Sequence, residues 1–188
     1  MSSTTESRQL IEGLRRNNRA AQETFLRQEA PVVFRFIVRM TQNEQDAEEL
    51  TQDTLLRAMR HINSYDEKQA SLTTWTCRIA YRLTLNHLRS RRHEEVSLDE
   101  NKSLIDSIDE TTIQQALNDT SQAMTELVLQ AIEQLTADEQ TLVTLFYYDD
   151  RPLNEIAFIM EASPGTLATR LHRIRKKLSI IIKRLQPL

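Results

Sequence analysis

The chain has 188 residues, room for one ordinary domain or two small ones, and only 2 Gly and 4 Pro interrupt it. Its apolar residues recur at helical rather than alternating spacing, which argues against a β-rich fold and predicts an all-α protein. The net charge of −3 looks wrong for a nucleic-acid binder until it is resolved along the chain: residues 1–92 carry 15 Lys/Arg against 11 Asp/Glu, residues 93–130 carry 1 against 9, and residues 131–188 carry 8 against 7.

The N-terminal Met1-Ser-Ser-Thr-Thr-Glu6 lacks the basic-then-apolar profile of a secretory signal, and no apolar run approaches the ~20 residues that span a bilayer. A helix is expected near Ser7–Leu14 and another around Ala20–Gln28. Pro31 then suits the first turn of a third, carrying Val32, Val33, Phe36, Ile37 and Met40. Asn43 can cap the next helix, with Asp46 three residues on in the manner of a capping box. That helix runs through Leu50, Leu55 and Met59 to about His61. The loop Asn63–Gln69 ends it, and Ser71 or Thr73 starts a long helix reaching Arg92. Cys77 lies inside that helix as a small packing residue; being single, it excludes an internal disulfide and fits a reducing, cytoplasmic location.

The long helix is asymmetric. Arg78, Arg82, Arg89 and Arg92 share one face, with Thr74 at its edge and Trp75 beside it, while Leu72, Ile79 and Leu83 point toward the core. Leu85 falls within the arginine stripe, out of pattern. Four guanidinium groups beside an indole, preceded by a loop with Tyr65 and Lys68, suit exposed bases on a phosphate strand, because rings stack and arginines meet phosphate.

Residues 93–120 are acidic and lack firm periodicity, which reads as a linker. A helix with Met124, Leu127, Val128, Ala131, Ile132 and Leu135 follows. Thr136-Ala-Asp-Glu139 forms a second capping box, opening a helix through Leu142, Leu145 and Phe146. After the turn Asp149–Pro152 come a short helix at Leu153–Met160, the tight turn Glu161-Ala162, and a helix that Ser163 can cap and Pro164 can begin. Leu167, Leu171, Ile174, Leu178, Ile181, Ile182 and Leu185 form one apolar stripe along it, with Arg170, Arg173, Lys177 and Arg184 alongside. This is a helix-turn-helix pattern, and it predicts a DNA ligand.

Two separated motifs carry a family resemblance. Asp46-Ala-Glu-Glu-Leu-Thr-Gln-Asp-Thr-Leu55, with Leu72-Thr-Thr-Trp-Thr-Cys-Arg-Ile-Ala80 and Leu88-Arg-Ser-Arg-Arg92, resembles region 2 of bacterial sigma factors. Glu155-Ile-Ala157 and Pro164–Leu178 resemble region 4. With no room for a region 3 domain between them, the chain looks like the extracytoplasmic-function (ECF) subgroup. The resemblance implies a region 2 bundle at 1–92, an acidic flexible linker at 93–120 and a region 4 helix-turn-helix domain at 121–188.

The function so implied is to bind core RNA polymerase, direct it to promoters and help open the −10 element. By analogy, Asp46, Glu49, Gln52 and Asp53 would dock on the clamp helices of the largest polymerase subunit. The −10 non-template strand would meet Tyr65, Lys68, Thr74, Trp75, Arg78, Arg82, Arg89 and Arg92, with Trp75 also a candidate for core packing. The −35 element would meet Ser163, Gly165, Thr166, Thr169, Arg170, Arg173 and Lys177. Arg170 is the candidate for a bidentate guanine contact, and a surface ion pair is its competing role. Arg173 and Lys177 suit phosphate.

The chain departs from the family pattern at Arg82, where Asn is frequent, at Asn86, where Asp is common, and at Ala168, where Lys is frequent, so no promoter sequence transfers to it. The acidic linker is expected near the polymerase cleft, as a nucleic-acid mimic or as a plain tether. An anti-sigma factor is a further partner that the resemblance allows. The histidines His61, His87, His93 and His172 have no metal-ligand pattern, and neither a phosphate loop nor a Ser/His/Asp arrangement is evident, so neither enzyme chemistry nor a cofactor is expected. Two other readings stay open: a decoy that titrates an anti-sigma factor, and a stand-alone helix-turn-helix regulator.

Overall fold

The computed structural model describes the backbone of residues 2–94 and 122–185 and the side chains of 6–91 and 125–185. Every regular element among them is helical. They are α1 (Ser2–Arg15), α2 (Arg19–Thr41), α3 (Glu44–Arg60), a 3₁₀ turn at Ile62–Ser64, α4 (Leu72–Glu94), α5 (Gln122–Glu133), α6 (Ala137–Val143), α7 (Leu153–Met160) and α8 (Pro164–Leu185). One π turn, Thr144–Tyr148, extends α6. The chain divides into two units: residues 1–95 with 157–161, and residues 96–156 with 162–188. The expected linker, from residue 95 onward, lies outside the described residues.

In the first unit, α2, α3 and α4 pack against one another and α1 packs on α2. One expectation is corrected here. No break occurs between Gln28 and Pro31; α2 is a single helix with Pro31 inside it. An interior proline forfeits a backbone hydrogen bond and crowds the preceding turn, at a cost of about 3 kcal/mol. Phe25, Val33, Phe36, Ile37 and Met40 are all buried along α2, on both sides of Pro31, and that shared apolar face offsets the cost.

The α1–α2 hairpin depends on close approach. A Cβ added at Gly13 would stand 2.6 Å from the Ala21 Cβ, closer than two carbons can come, so glycine is required by the packing of α1 on α2. Among the described residues no glycine takes the left-handed conformation. The left-handed residues closing helices and turns are Asn17, Gln42, Asp150 and Glu161.

Residues of low apparent hydrophobicity are prominent among the buried side chains of α3 and α4. Ala47, Thr54 and Ala58 on α3, and Thr76, Cys77, Ala80 and Thr84 on α4, are fully buried. Small side chains allow close helix approach, and threonine hydroxyls can return to their own helix. Thr51, Thr54 and Thr76 donate to the carbonyls of Ala47, Leu50 and Leu72 at 2.6, 2.7 and 2.8 Å. The expected core face of α4 is therefore shifted. Leu72, Ile79 and Leu83 are only half-buried, and the Thr/Cys/Ala face is the buried one.

The second unit is aliphatic. Leu167, Leu171, Ile174, Ile181 and Ile182 of α8 are buried, with Leu178 and Leu185 partly so, as the stripe predicts. Ala131 and Val128 of α5 pack on Ile181, Ile182, Leu178 and Leu185. Thr136 closes a full capping box on α6: its Oγ1 accepts from the Glu139 N–H at 3.3 Å, and its own N–H donates to Glu139 Oε2 at 2.9 Å.

Candidate nucleic-acid and partner interfaces

Asn43 caps α3 as expected, its Oδ1 accepting from the Asp46 N–H at 3.0 Å. The reciprocal arm of a capping box is absent, because the Asp46 carboxylate is committed elsewhere. Arg91 Nη1 donates to Asp46 Oδ2, and His87 Nε2 lies 3.4 Å from the same oxygen. Asp46 thus ties the start of α3 to the last turns of α4. That separates it from Glu49, Gln52 and Asp53, which are exposed. A residue the sequence reading passed over joins those three. Leu56 is 46 % exposed and stands three, four and seven positions beyond Asp53, Gln52 and Glu49, on the same helical face. The signal was available as an apolar residue at helical spacing within a polar face.

Five of the eight residues expected to meet a single strand line two clefts on the first unit. Lys68, exposed, and Tyr65 line a cleft of about 430 Å³ with Arg8, Arg15, Asp66 and Glu67. Trp75, Arg78 and Arg82 line another of about 410 Å³ with Arg57, His61 and Asn86. The Tyr65 and Trp75 rings join the clefts, 5.4 Å apart and tilted by 56°. Trp75 and Arg78 are half-buried, Arg82 and Arg89 are exposed, and the Arg92 side chain lies outside the described residues.

Two of these residues are withdrawn from the surface. Thr74 is 1 % exposed, its hydroxyl 2.8 Å from that of Ser71, because the first turn of α4 is packed into the unit rather than presented. Tyr65 is 6 % exposed, and its hydroxyl donates to the Ala70 carbonyl at 3.0 Å. Burial, then the neighbouring Glu67 and Asp66 carboxylates, push the Tyr65 phenol above its ordinary pKa. What little of Tyr65 stays accessible lines the first cleft, and its ring lies against Trp75. The half-buried Leu85 places the arginine stripe at the edge of the packed face, which accounts for its presence there.

On the second unit, α8 begins as predicted. The Ser163 Oγ accepts from the Thr166 N–H at 3.1 Å, and Pro164 occupies the first helical position. Ser163, Gly165, Thr166, Thr169, Arg170 and Arg173 are exposed, and Lys177 is half-buried. Several are already engaged. The Thr166 hydroxyl sits 2.8 Å from that of Ser163, and Thr169 Oγ1 donates to the Gly165 carbonyl at 3.0 Å. Arg170 Nη1 donates to Asp138 Oδ2 at 2.9 Å, and Lys177 Nζ to Glu139 Oε2 at 2.7 Å. Burial alone would raise the Glu139 carboxyl, but hydrogen bonds from Lys177 and Thr136 outweigh it and hold its pKa below the ordinary carboxylate value. Asp138 and Glu139 were not anticipated as neighbours of this helix, since 32 and 38 residues separate each pair.

Residues 21–94 match the family Sigma-70 region 2, and residues 125–178 match Sigma-70, region 4. The chain belongs to the sigma-70 factors, in their ECF subgroup. Relatives of this sigma factor include the ECF sigma factor SigW of Bacillus subtilis (strain 168), 28 % identical over 78 % of this chain and 80 % of that protein. The RNA polymerase sigma-H factor of Pseudomonas aeruginosa is 28 % identical over 97 % of this chain and 95 % of its own length. CarQ of Myxococcus xanthus, an RNA polymerase sigma factor, is 29 % identical over 94 % and 97 %.

Two solved structures share the fold. CnrH, in complex with the cytosolic domain of CnrY, matches with a TM-score of 0.64 at 16 % identity, over 95 % of this chain and 97 % of that one. The Bartonella quintana sigma factor RpoE, in complex with the anti-sigma factor NepR, matches with a TM-score of 0.57 at 21 % identity, over 86 % and 96 %. Among the described residues, no helix of this sigma factor is long and apolar enough to cross a membrane.

Proposed function

We propose that this sigma factor binds core RNA polymerase, directs it to particular promoters and assists opening at the −10 element, with bond formation left to the polymerase and the whole acting in the cytoplasm. The single observation that carries this reading is the presence of both sigma-70 regions, in order, in one chain. Glu49, Gln52 and Asp53 supply a polar docking face on α3, and Leu56 adds an apolar contact at its C-terminal end. Asp46 acts indirectly, by holding α3 and α4 together.

For the −10 strand, Trp75, Arg78 and Arg82 offer a ring and two cations around one cleft, with Lys68 at the other. Arg89 extends the cationic face. At the −35 element the exposed start of α8 enters the major groove, with Arg170 at base edges and Arg173 on phosphate. The backbone N–H groups there favour a phosphate as well.

Run-off transcription with purified core polymerase and genomic fragments tests this directly. The expected result is discrete, promoter-dependent products only when the chain is added, with mapped 5′ ends that share two upstream elements. DNA binding without polymerase, and no product, would instead fit the stand-alone regulator.

A further inference from the structure

On the reading that α8 meets −35 DNA, we infer that Asp138 is a specificity-determining positioning residue, which holds the Arg170 guanidinium for the edge of a guanine. Four observations support it. First, Asp138 is the second residue of α6, whose start the Thr136–Glu139 capping box fixes, so its carboxylate stands on a rigid mount. A carboxylate in that turn is also favoured by the backbone dipoles of α6.

Second, Arg170 Nη1 reaches Asp138 Oδ2 at 2.9 Å while the arginine side chain remains 45 % exposed. One arm of a planar fork with five donors is thereby anchored, and the fork still faces solvent. A guanine presents two acceptors, O6 and N7, at the spacing such a fork matches. Third, the hydroxyls nearest the helix start are bound to local partners, Thr166 to Ser163 and Thr169 to Gly165. Arg170 is the first cation along α8 and the strongest donor left at that end. Fourth, the Lys177–Glu139 pair two turns further along the same face differs in kind. Glu139 is shared with the cap, and a lysine is a point charge without a fork, so that pair suits phosphate rather than a base.

An unanchored arginine loses much of its freedom when it docks on a base, whereas an anchored one has already lost it. Asp138 also repels any phosphate that would draw Arg170 aside. Its removal therefore lowers discrimination at one base pair while leaving overall affinity for DNA equal or higher.

The experiment uses holoenzyme, core polymerase with the full chain, to select from duplexes randomised across the upstream element, followed by sequencing. Arg170→Ala is expected to relax a guanine preference at one position by about tenfold. Asp138→Ala relaxes the same position several-fold, Asp138→Glu retains most of the preference, and the double variant is no worse than Arg170→Ala alone. Thermal melts of each variant separate folding from recognition. A uniform change in affinity across all sequences with Asp138→Ala, or an intact preference with Arg170→Ala, overturns the inference while leaving the sigma reading standing. Failure of the unsubstituted holoenzyme to select any sequence overturns that reading itself.

Discussion

α4 and α8 begin with the same device and end up in opposite environments. In each, a serine outside the first turn caps the N–H three residues on, and the two hydroxyls of a Ser-x-x-Thr pair meet at 2.8 Å. Yet Thr74 is 1 % exposed, whereas Thr166 is open to solvent. The clasp decides where a helix starts; the face that packs decides what the start can touch. α8 buries an aliphatic stripe on one side and leaves its first turns free, while α4 buries a Thr/Cys/Ala face that begins in its first turn. Local sequence is thus enough to locate a helix start, but exposure is a tertiary property.

The largest expected effect tests the aliphatic side of that contrast. Leu171, 2 % exposed, should cost about 2–5 kcal/mol as Leu171→Ala, read by denaturant unfolding, because a buried Leu leaves both lost transfer energy and a cavity. A cost below about 1 kcal/mol would mean α8 is not anchored by its stripe. Next come the two glycines. Gly13→Ala should lose about 1–3 kcal/mol, since its methyl would meet Ala21 at 2.6 Å. Gly165→Ala would meet only the Ser163 Oγ, at an ordinary 4.0 Å, and should be neutral or gain up to about 1 kcal/mol in the free protein. Equal losses at both sites would contradict the account of α8's free start.

Smaller effects sharpen the contrast on the α4 side. The buried Thr84 hydroxyl has no hydrogen-bond partner, so Thr84→Val should be neutral or stabilising by up to about 1 kcal/mol, whereas a loss above that would assign the hydroxyl a role. The smallest concerns pH. Glu139 has a folded pKa below its unfolded one, so its contribution is present above the unfolded pKa and is lost as pH falls through the folded value. Glu139→Gln should therefore lower stability at neutral pH and flatten the acid limb of a pH–stability profile. An unchanged limb would mean that the contacts with Lys177 and Thr136 do not survive in solution.

The same contrast explains what the sequence disclosed. The α8 stripe was legible because Leu and Ile at 3.6-residue spacing have one reading, and its cap because Ser-Pro at a helix start is a local signal. The α4 core face was not, because threonine counts as polar in any periodicity, although buried threonines that bond their own helix behave as small packing residues. Pro31 misled for a similar reason: a local rule predicted a boundary, and packing overrode it. For the interfaces, residue types on a helix face could be read, but not what those side chains already hold. Asp46 with Arg91, and Arg170 with Asp138, are contacts across 45 and 32 residues, to which no local pattern points.

The most direct test of the sigma assignment is a titration of fluorescently labelled chain with core RNA polymerase lacking its own specificity subunit. The account predicts saturable association that weakens at least about tenfold when Glu49→Lys and Asp53→Lys are combined, a charge reversal placed at the centre of the proposed contact, and that Arg170→Ala leaves unchanged. Binding undiminished by the double substitution would contradict the α3 docking face, and no association by the unsubstituted chain would contradict the central claim.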